Sequence, residues 1–387
     1  MRIHYYDFVA TGGVHTSFNA AMIEVLCNAF PQNEGVRLHC EEEHGRIVLE
    51  KNTRNIQCFP LKALFKCSKR RKVRDFLSLF VALNAVLKAQ KKDVICVGIA
   101  FPFCINALCF FSKVLKKHVY LCLHGEMQNF LENTEEIYDL KTMKYMRKMG
   151  FAFKHRNPYL SFIILGQPIY EAVKFVFNKD NHVIVINHPA IFAKETGAIR
   201  LHNPLCIGQI GSALKRKNSQ KVFKLAKLLE KEIKEGLVEI KIAGYCPPNF
   251  SESDCGLVTY FPSKLDEAAL AKEIESLDFT LQLTTDDVCR AIASGTLIDS
   301  LLYDKPILGL HSSYLDFYFA DSDLKKYTFN SVEEMADSVK KILQSINTEK
   351  YADDVKELQK IKRYFSIEEN SKKMHSEINE EEKLCHI

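Results

Sequence analysis

Short apolar runs alternate with amphipathic stretches along the first half of the chain, a pattern typical of parallel strands joined by helices. The runs predict strands at 3–9, 46–49, 56–59, 93–99, 119–123, 161–165 and 183–186. Apolar residues at helical spacing predict helices at 16–29, 76–89 and 103–115, and the polar stretch 132–149 is predicted to be rich in helix. This order of elements indicates an α/β domain.

The same alternation starts again after a turn signal at Asn187-His188-Pro189. It predicts strands at 206–210, 238–243, 258–260, 279–283 and 306–310, and helices at 220–235, 265–276, 296–302, 331–345 and 353–363. Two such series predict an α/β fold of two doubly wound Rossmann-like domains that face each other across a cleft. Ligands of such domains bind outside the carboxyl ends of the strands.

The domain boundaries follow from the break between the two series. We expect an N-terminal domain at 1–190 and a C-terminal domain at 191–345. Residues 346–387 should form C-terminal helices and a tail that return toward the N-terminal domain. The last 20 residues are densely charged, and we predict a frayed tail there.

Composition excludes several classes of protein. The chain has 387 residues, of which 47% are hydrophobic and 26% charged, which excludes a disordered, collagen-like or coiled-coil protein. A net charge of +5 is too small to predict nucleic-acid binding. The charge is uneven, however, because residues 1–190 carry a net +10 and the remainder carries −5. The basic half is therefore expected to face an anionic partner.

The thirteen cysteines form no Cys-x-x-Cys pair and no cluster with histidine, so we expect free thiols in a reducing cytoplasm and no zinc site. The first residues lack the long apolar segment of a signal peptide. Residues 94–112 are apolar enough to resemble a membrane span, but a buried strand, helix and strand explain this run better. We therefore expect a cytoplasmic protein.

Several short motifs lie where predicted strands end. They are Thr11-Gly12-Gly13, Leu123-His124-Gly125-Glu126, the glycine turn at 207–211 followed by Lys215-Arg216-Lys217, the strand end at 241–244, and the segment 293–299 that leads through Tyr303-Asp304-Lys305-Pro306 into a strand. This order resembles the GT-B class of nucleotide-sugar glycosyltransferases, and especially the bacterial family-4 type.

The sequence also departs from that family. Its Glu-x7-Glu pair is absent, because Asp299 stands at the second position and Ala291 at the first. The final motif lacks the usual glycine before Pro306. These differences affect the donor and the stereochemistry rather than the fold.

The resemblance implies that the C-terminal domain binds the nucleotide diphosphate between two turns, 211–217 and 294–299. Backbone N–H groups at a helix start and basic side chains stabilise the charge that develops on the leaving group. The candidate donor-binding residues are Gly12, Gly13, Gly211, Lys215, Arg216, Lys217, Gly244, Ser294, Gly295, Thr296 and Asp299. Plain tight turns, a helix cap and a solvated basic run are the alternatives.

Three residues are candidates for catalysis. His15 lies just after the first strand, where a histidine of ordinary pKa can accept a proton from an acceptor hydroxyl. The resemblance places His124 against the donor sugar or phosphate, and Glu126 could bind the acceptor or act as a base. A solvated loop histidine and a satisfied buried histidine are the alternatives for His15 and His124.

A basic stretch at 62–74 contains seven lysines and arginines beside apolar residues. It predicts peripheral binding to the anionic inner face of the cell membrane, with Lys69, Arg70, Arg71 and Lys72 in contact with lipid. The alternative is a solvated face. The aromatic residues are not interleaved as stacking platforms, so nucleic acid is not an expected partner.

These features together predict a metal-independent glycosyltransferase of the hexosyltransferase type that needs no cofactor. Its partners would be a nucleotide-sugar donor and a glycan or lipid-linked acceptor, as in bacterial surface polysaccharide assembly. The Asp286-Asp287 pair has the wrong spacing for an Asp-x-Asp metal site. A nucleotide-sugar 2-epimerase and a catalytically inactive GT-B binding module remain as alternatives.

Overall fold

The computed structural model describes residues 1–66, 71–131, 140–192, 201–251 and 256–385. The chain divides into two units. The first comprises Met1–Ile191, Ala291–Ala293 and Tyr364–Ile387, and the second comprises Phe192–Arg290 and Ser294–Arg363. The C-terminal segment thus belongs to the same unit as the N-terminus.

The first unit contains a seven-stranded parallel sheet with the strand order β3-β2-β1-β4-β5-β6-β7. Its strands are β1 (Ile3–Asp7), β2 (Val36–Cys40), β3 (Ile56–Pro60), β4 (Val94–Ile99), β5 (Val119–Leu123), β6 (Leu160–Leu165) and β7 (His182–Ile186). Every residue of β1, β4, β5 and β6 is buried, as expected for central strands covered on both faces. The order reverses beside β1, so β1 and β4 form a topological switch point.

Helices cover both faces of this sheet. They are α1 (Thr16–Ala29), α2 (Glu42–Glu50), α3 (Lys62–Lys66), α4 (Arg71–Lys88), α5 (Pro102–Leu115), α6 (Leu140–Met146), α7 (Gly150–Lys154) and α8 (Gln167–Val173). Pro102 opens α5 at a position where its missing N–H costs nothing. The core between α1 and the sheet includes Tyr5, Met22 and Leu26, all fully buried.

The second unit contains a six-stranded parallel sheet with the order β10-β9-β8-β11-β12-β13. Its strands are β8 (Leu205–Ile210), β9 (Val238–Tyr245), β10 (Val258–Phe261), β11 (Phe279–Gln282), β12 (Ile307–Leu310) and β13 (Thr328–Phe329). Its helices are α9 (Gln220–Leu228), α10 (Glu230–Lys234), α11 (Pro248–Ser251), α12 (Glu267–Glu275), α13 (Gly295–Leu302), α14 (Ser313–Phe319), α15 (Val332–Ser345) and α16 (Thr348–Phe365). Here the switch point lies between β8 and β11.

One predicted strand was wrong. Residues 46–49 lie within α2, whose amino terminus is capped by Glu41. The Glu41 carboxylate accepts hydrogen bonds from the N–H groups of Glu43 and His44, and His44 and Val48 face the core from one side of the helix. This cap and the helical spacing of buried residues override the β-branched run.

The predicted frayed tail was also wrong. Residues Ile367–Cys385 form a helix, α17, which packs against α1 and β7. Met374 and Ile378 are buried in the core of the first unit, and the His375 Nδ1 atom lies 2.9 Å from the Ala29 carbonyl oxygen. Charged side chains that the structure describes here, such as Glu368, Lys372 and Lys373, lie on the outer face of this helix.

Other differences concern boundaries. The helix predicted at 220–235 is divided at Leu229 into α9 and α10, and β2 was not predicted. None of the described helices is long and apolar enough to cross a membrane.

Candidate functional site

The glycine turn after β1 is fixed by α2. Gly12 has a positive φ of 53°, a conformation that glycine adopts at little cost. Its N–H donates to Glu41 Oε2 at 3.1 Å, and its carbonyl oxygen lies 3.0 Å from His44 Nδ1. Gly13, by contrast, is exposed. Hydrogen bonds to both the N–H and the carbonyl oxygen of Gly12 therefore fix the turn.

A buried hydrogen-bond network lies beneath this turn. Asn19 donates to Asp7 Oδ2 at 2.8 Å and accepts from the Tyr5 hydroxyl at 2.7 Å. The second amide proton of Asn19 points to His44 Nε2, also at 2.8 Å. His44 must therefore be neutral and protonated at Nδ1, since Nδ1 donates to the Gly12 carbonyl. The network fixes both the tautomer of His44 and the position of the turn.

Three histidines lie at the carboxyl end of the first sheet, around the ring of Phe18. The His124 ring centroid is 5.3 Å from that of His15 and 4.3 Å from that of Phe18. His188, which follows β7, lies 4.9 Å from Phe18 on the same measure. His15 is exposed, with a φ of 59°, at the amino terminus of α1. The structure thus brings the predicted His15 and His124 together and adds His188.

Two of these histidines are neutral at physiological pH. Burial, with the nearby His15, holds the pKa of His124 well below its usual range. Burial likewise lowers the pKa of His188 to about 4. His124 Nε2 and His188 Nδ1 are buried without a hydrogen-bond partner among the described residues. Such atoms are suited to bind hydroxyl groups of a ligand.

The protonation state of His124 determines what it can bind. Burial lowers the pKa of His124 far more than the Gly98 main chain raises it, so the ring is neutral and a weak base. Its buried Nε2 atom has no partner among the described residues and can form a hydrogen bond with a ligand hydroxyl, which both donates and accepts.

Glu126 has a local structural contact. Its Oε2 atom accepts a hydrogen bond from the main-chain N–H of His124 at 2.7 Å. The carboxylate thus folds back on the turn at Gly125–Phe130 and stabilises it. Its neighbour Gln128 is buried, and its Oε1 atom accepts a hydrogen bond from the Ala291 N–H at 2.8 Å.

The loop that carries His188 is held by the C-terminal segment. The Asn187 N–H donates to Asn370 Oδ1 of α17 at 2.7 Å, and the Ala190 N–H donates to the Phe365 carbonyl at 2.9 Å. Asn370 is itself almost completely buried. The segment predicted to fray therefore fixes one wall of the histidine cluster.

In the second unit, two glycines allow close approach of the chain after β8 and at the end of β9. A Cβ atom on Gly244 would lie 2.5 Å from the Gly211 main chain, a distance that side chains do not tolerate. Gly211 has a φ of 77° and Gly244 a φ of 157°, both in the range that favours glycine. The turn after β8 is therefore tightly packed, and a Cβ atom on Gly211 would lie 3.1 Å from Lys217 Nζ.

Of the three predicted basic residues, Lys217 is the one directed into the site. Lys215 and Arg216 are exposed, whereas Lys217 is half-buried and donates to the Ile210 carbonyl at 2.9 Å. The basic turn is anchored by Asn218, whose Nδ2 atom donates to the Leu283 carbonyl at the end of β11 at 3.0 Å. This places a cation at the switch point of the second sheet.

Lys217 interacts electrostatically with Asp299. Burial lowers the pKa of Lys217 to about 8, although the Asp299 carboxylate opposes this shift. Burial also raises the pKa of Asp299 to about 6, against the effect of Lys217. Both groups are therefore mostly charged at neutral pH but close to losing that charge, as expected for a site that gains stability from an ionic ligand.

The turn before α13 provides main-chain donors. The Ser294 hydroxyl caps the helix by accepting from the Leu297 N–H at 3.1 Å, and it donates to Gln282 Oε1 of β11 at 3.1 Å. Gly295 is exposed, while Thr296 is buried. The capping alternative thus applies to Ser294, and the exposed start of α13 can also approach an anion.

Two basic residues of the predicted stretch have structural contacts. Lys62 pairs with Glu42 at 3.2 Å, and Arg74 donates to the carbonyl oxygens of Phe8 and Val9 at 3.2 and 2.9 Å. Arg74 therefore fixes the chain just after β1. Lys72 is exposed on α4. Lys69 and Arg70 lie outside the described residues, as does the side chain of Arg71.

Among the described residues, no group of three or more histidine, cysteine, aspartate or glutamate side chains could hold a metal ion. Asp286 of the predicted acidic pair accepts hydrogen bonds from the Ser313 N–H at 2.9 Å and from the Ser313 hydroxyl. Its carboxylate thus has a structural role in the turn before α14.

Sequence reasoning missed His44, His188, Asn19 and Gln282. A signal existed for two of them. Three glutamates precede His44, which is the composition of a helix start, and His188 lies between asparagine and proline at the end of a strand. The roles of Asn19 and Gln282 depend on tertiary contacts that no local pattern indicates.

No protein-family model matches this chain, and no curated protein is similar to it in sequence. Solved structures, however, are similar over the whole length. Anabaena HepE in complex with UDP and glucose has a TM-score of 0.62 at 10% identity, and the alignment covers 100% of both chains. The apo lipopolysaccharide outer core galactosyltransferase WaaB has a TM-score of 0.58 at 9% identity, covering 98% of this chain and 99% of that one.

A third similar structure is the UDP-forming α,α-trehalose-phosphate synthase of Burkholderia xenovorans with glucose-6-phosphate. Its TM-score is 0.59 at 10% identity, and the alignment covers 98% of this chain and 99% of the synthase. These similarities and the two parallel sheets confirm the predicted fold class, two doubly wound domains of the GT-B type.

Proposed function

We propose that this chain is a glycosyltransferase that moves a sugar from a nucleotide-sugar donor to a glycan or lipid-linked acceptor, as in bacterial surface polysaccharide assembly. The observation that carries the proposal is Lys217, half-buried beside the Gly211 turn and Asp299 at the switch point of the second sheet. The fold is shared with HepE, which was solved with UDP and glucose, and with a galactosyltransferase.

The second unit would bind the nucleotide diphosphate. A diphosphate leaving group gains negative charge during transfer, and Lys217 supplies a cation for it without a metal. The main chain at Gly211 and at the start of α13 can approach the phosphates closely. Asp299, one turn into α13, would accept hydrogen bonds from ribose hydroxyls.

The first unit would bind sugar hydroxyls. His124 Nε2 and His188 Nδ1 are buried and lack partners among the described residues, and the buried Phe18 ring packs against both imidazoles. Neutral imidazoles with unpaired nitrogen atoms suit the hydroxyl groups of a pyranose. His15, which is exposed beside His124, is the better placed of the three to accept a proton from an acceptor hydroxyl. A lipid-linked acceptor would place the protein at the inner face of the cell membrane.

Nucleotide binding tests the second unit. Thermal unfolding should be measured with uridine, guanosine, cytidine and thymidine diphosphates, since a ligand at 100 times its Kd stabilises the fold by about 2.7 kcal/mol. Lys217→Ala should abolish the shift produced by the best nucleotide. Lys215→Ala removes the same charge from an exposed neighbour and should lower the shift far less. Equal losses in the two variants would contradict the assignment of Lys217.

Sugar transfer tests the first unit. His188→Leu should raise the KM for the sugar substrate about three- to tenfold, because one hydrogen bond to a sugar hydroxyl is lost. The affinity for the nucleotide should not change. His188→Asn retains a polar atom near Nδ1 and should restore most of the loss. His39→Leu removes a half-buried histidine of β2 whose Nε2 atom is also buried without a partner among the described residues, and it serves as a control. Neither transfer nor donor hydrolysis by the wild-type protein would indicate an inactive binding module.

A further inference from the structure

Helix α4 has apolar residues on two opposite faces. Ala82, Ala85 and Val86 point into the core of the first unit and are buried. On the opposite side lies a second apolar row, with exposed fractions of 39% for Val73, 56% for Phe76, 59% for Phe80 and 52% for Leu87. Their spacing of three, four and seven residues places them along one line of the helix. A surface helix needs only the core-facing row for folding.

Helix α5 continues this apolar surface. It packs against α4, and its side away from the core exposes Phe110 by 58% and Val114 by 59%. Residues 110 and 114 are four apart and therefore lie one above the other on the helix. We call the outer surface formed by these six residues of α4 and α5 the apolar face. Several large exposed side chains on adjoining helices indicate an interaction site.

The exposed charges of α4 and α5 are of one sign. The sequences of the two helices contain a single carboxylate, Asp75. It is completely buried, and its Oδ1 atom accepts from the N–H groups of Phe103 and Cys104 at the start of α5. Exposed lysines, in contrast, lie at both ends of α4 and at the carboxyl end of α5: Lys72, Lys88, Lys113 and Lys116. The apolar face therefore has a cationic rim.

We infer that the apolar face docks on an anionic lipid bilayer. Phenylalanine side chains enter the boundary between headgroups and acyl chains, while lysines at the rim contact anionic headgroups. Because α4 and α5 expose no carboxylate, their affinity for an anionic surface is not lowered by charge repulsion. The protein would contact the bilayer through α4 and α5, and a run of basic residues alone would not account for the binding.

A second copy of this chain fits the same face less well. In a symmetric dimer, each patch meets its own counterpart. The lysines of one rim would then approach those of the other, and α4 and α5 offer no exposed carboxylate to pair with them. Like charges across an interface oppose association. The charge pattern therefore favours an anionic bilayer over self-association.

This inference goes beyond the proposed transfer reaction and does not depend on it, since binding to vesicles is measured without any sugar. The chain contains no tryptophan, so Phe80→Trp gives a single fluorescent reporter on the apolar face. With phosphatidylglycerol–phosphatidylcholine vesicles its emission should shift to shorter wavelength. Phe317→Trp, at an exposed phenylalanine of α14 in the second unit, should show no shift.

Co-sedimentation with the same vesicles measures the strength of binding. Phe76→Ser with Phe80→Ser should lower the partition coefficient about tenfold or more, because both rings lose their apolar burial. Lys72→Gln, Lys88→Gln and Lys116→Gln together should lower it about a hundredfold, at roughly fivefold for each cation. Three exposed lysines of the second unit, Lys227, Lys272 and Lys325, give a control with the same change in charge.

Binding should fall as salt rises, because the lysine contribution is screened. Equal partition into anionic and neutral vesicles, or a triple lysine variant that binds like its control, would overturn the inference. So would a tryptophan at position 80 whose emission does not shift while the protein sediments with the vesicles. Sedimentation velocity that shows a dimer abolished by Phe80→Ser, with no vesicle binding, would assign the face to self-association instead.

Discussion

At the scale of single residues, Lys217 shows how burial prepares a side chain for an ionic ligand. The side chain gives up part of its hydration, and its pKa falls to about 8. A diphosphate beside it would reverse that shift, because an anion stabilises the ammonium form. The free-energy cost of burying the charged Lys217 side chain would therefore be offset when the diphosphate binds.

This reasoning predicts a pH dependence of nucleotide binding. Above about pH 8 the free protein has lost the Lys217 proton, while the complex retains it, so binding takes up a proton. Affinity should therefore fall by up to about tenfold per pH unit between pH 8 and the higher pKa of the complex. The last phosphate ionisation of the nucleotide, near a pKa of about 6, is already complete there. Isothermal titration calorimetry from pH 7.5 to 9.5 measures the slope.

Lys217→Arg is the control for this slope. A guanidinium remains charged throughout the range, so the affinity of this variant should be almost independent of pH. The Asp299 carboxyl, with a pKa of about 6, is ionised over the same range and contributes little. An equal slope in the wild-type protein and in Lys217→Arg would show that another group binds the proton.

The sequence indicated part of the site at this scale. Gly12, Gly211 and Gly244 were found because glycine is needed where φ is positive and chains approach closely. The sequence could not distinguish Lys217 from Lys215 and Arg216, since their burial depends on the path of the turn across β11. It also gave no indication that the Glu126 carboxylate would bind the His124 N–H.

At the scale of elements, the local sequence pattern predicted the central strands. It failed where contacts with other parts of the fold determine whether a segment forms a helix or a strand. Helix α1 was predicted with its observed bounds, because its apolar residues keep a helical period over four turns. Residues 46–49 were assigned to a strand because Ile47 and Val48 are β-branched. The cap at Glu41 and the contact of His44 with Gly12 stabilise a helix there instead.

Helix α17 provides the prediction at this scale. Met374 is completely buried among residues of the first unit, so Met374→Ala should lower the free energy of unfolding by about 2–5 kcal/mol. Urea unfolding measures the loss, and hydrogen exchange in α1 identifies the unit affected. Lys372→Ala, on the exposed side of the same helix, removes only a surface ion pair with Glu368 and should change the free energy of unfolding far less. Indistinguishable variants would mean that α17 does not stabilise the unit.

At the scale of the whole molecule, each unit places its candidate residues at the carboxyl end of its own sheet. In the first unit these are the histidines around Phe18, beside the turn after β1. In the second they are Lys217 and Asp299, after β8 and within α13. The uncharged imidazoles of His124 and His188 suit hydroxyl groups, whereas the Lys217 ammonium suits a diphosphate and the Asp299 carboxylate suits ribose hydroxyls. This division of chemistry does not follow the net charge of the two halves, because the site proposed for the anionic diphosphate lies in the half that carries −5.

The last prediction concerns the divalent metal requirement of the complete reaction. The leaving diphosphate would be stabilised by Lys217 and by main-chain N–H groups at Gly211 and at the start of α13. The acidic pair at 286–287 does not compete for this role, because Asp286 is bound by the main chain and hydroxyl of Ser313. Initial rates of sugar transfer measured with excess chelator should therefore equal those with added magnesium, whereas Lys217→Ala should be slow in both. A complete loss of transfer in chelator that magnesium restores would show that a metal ion, and not Lys217, carries the charge of the leaving group.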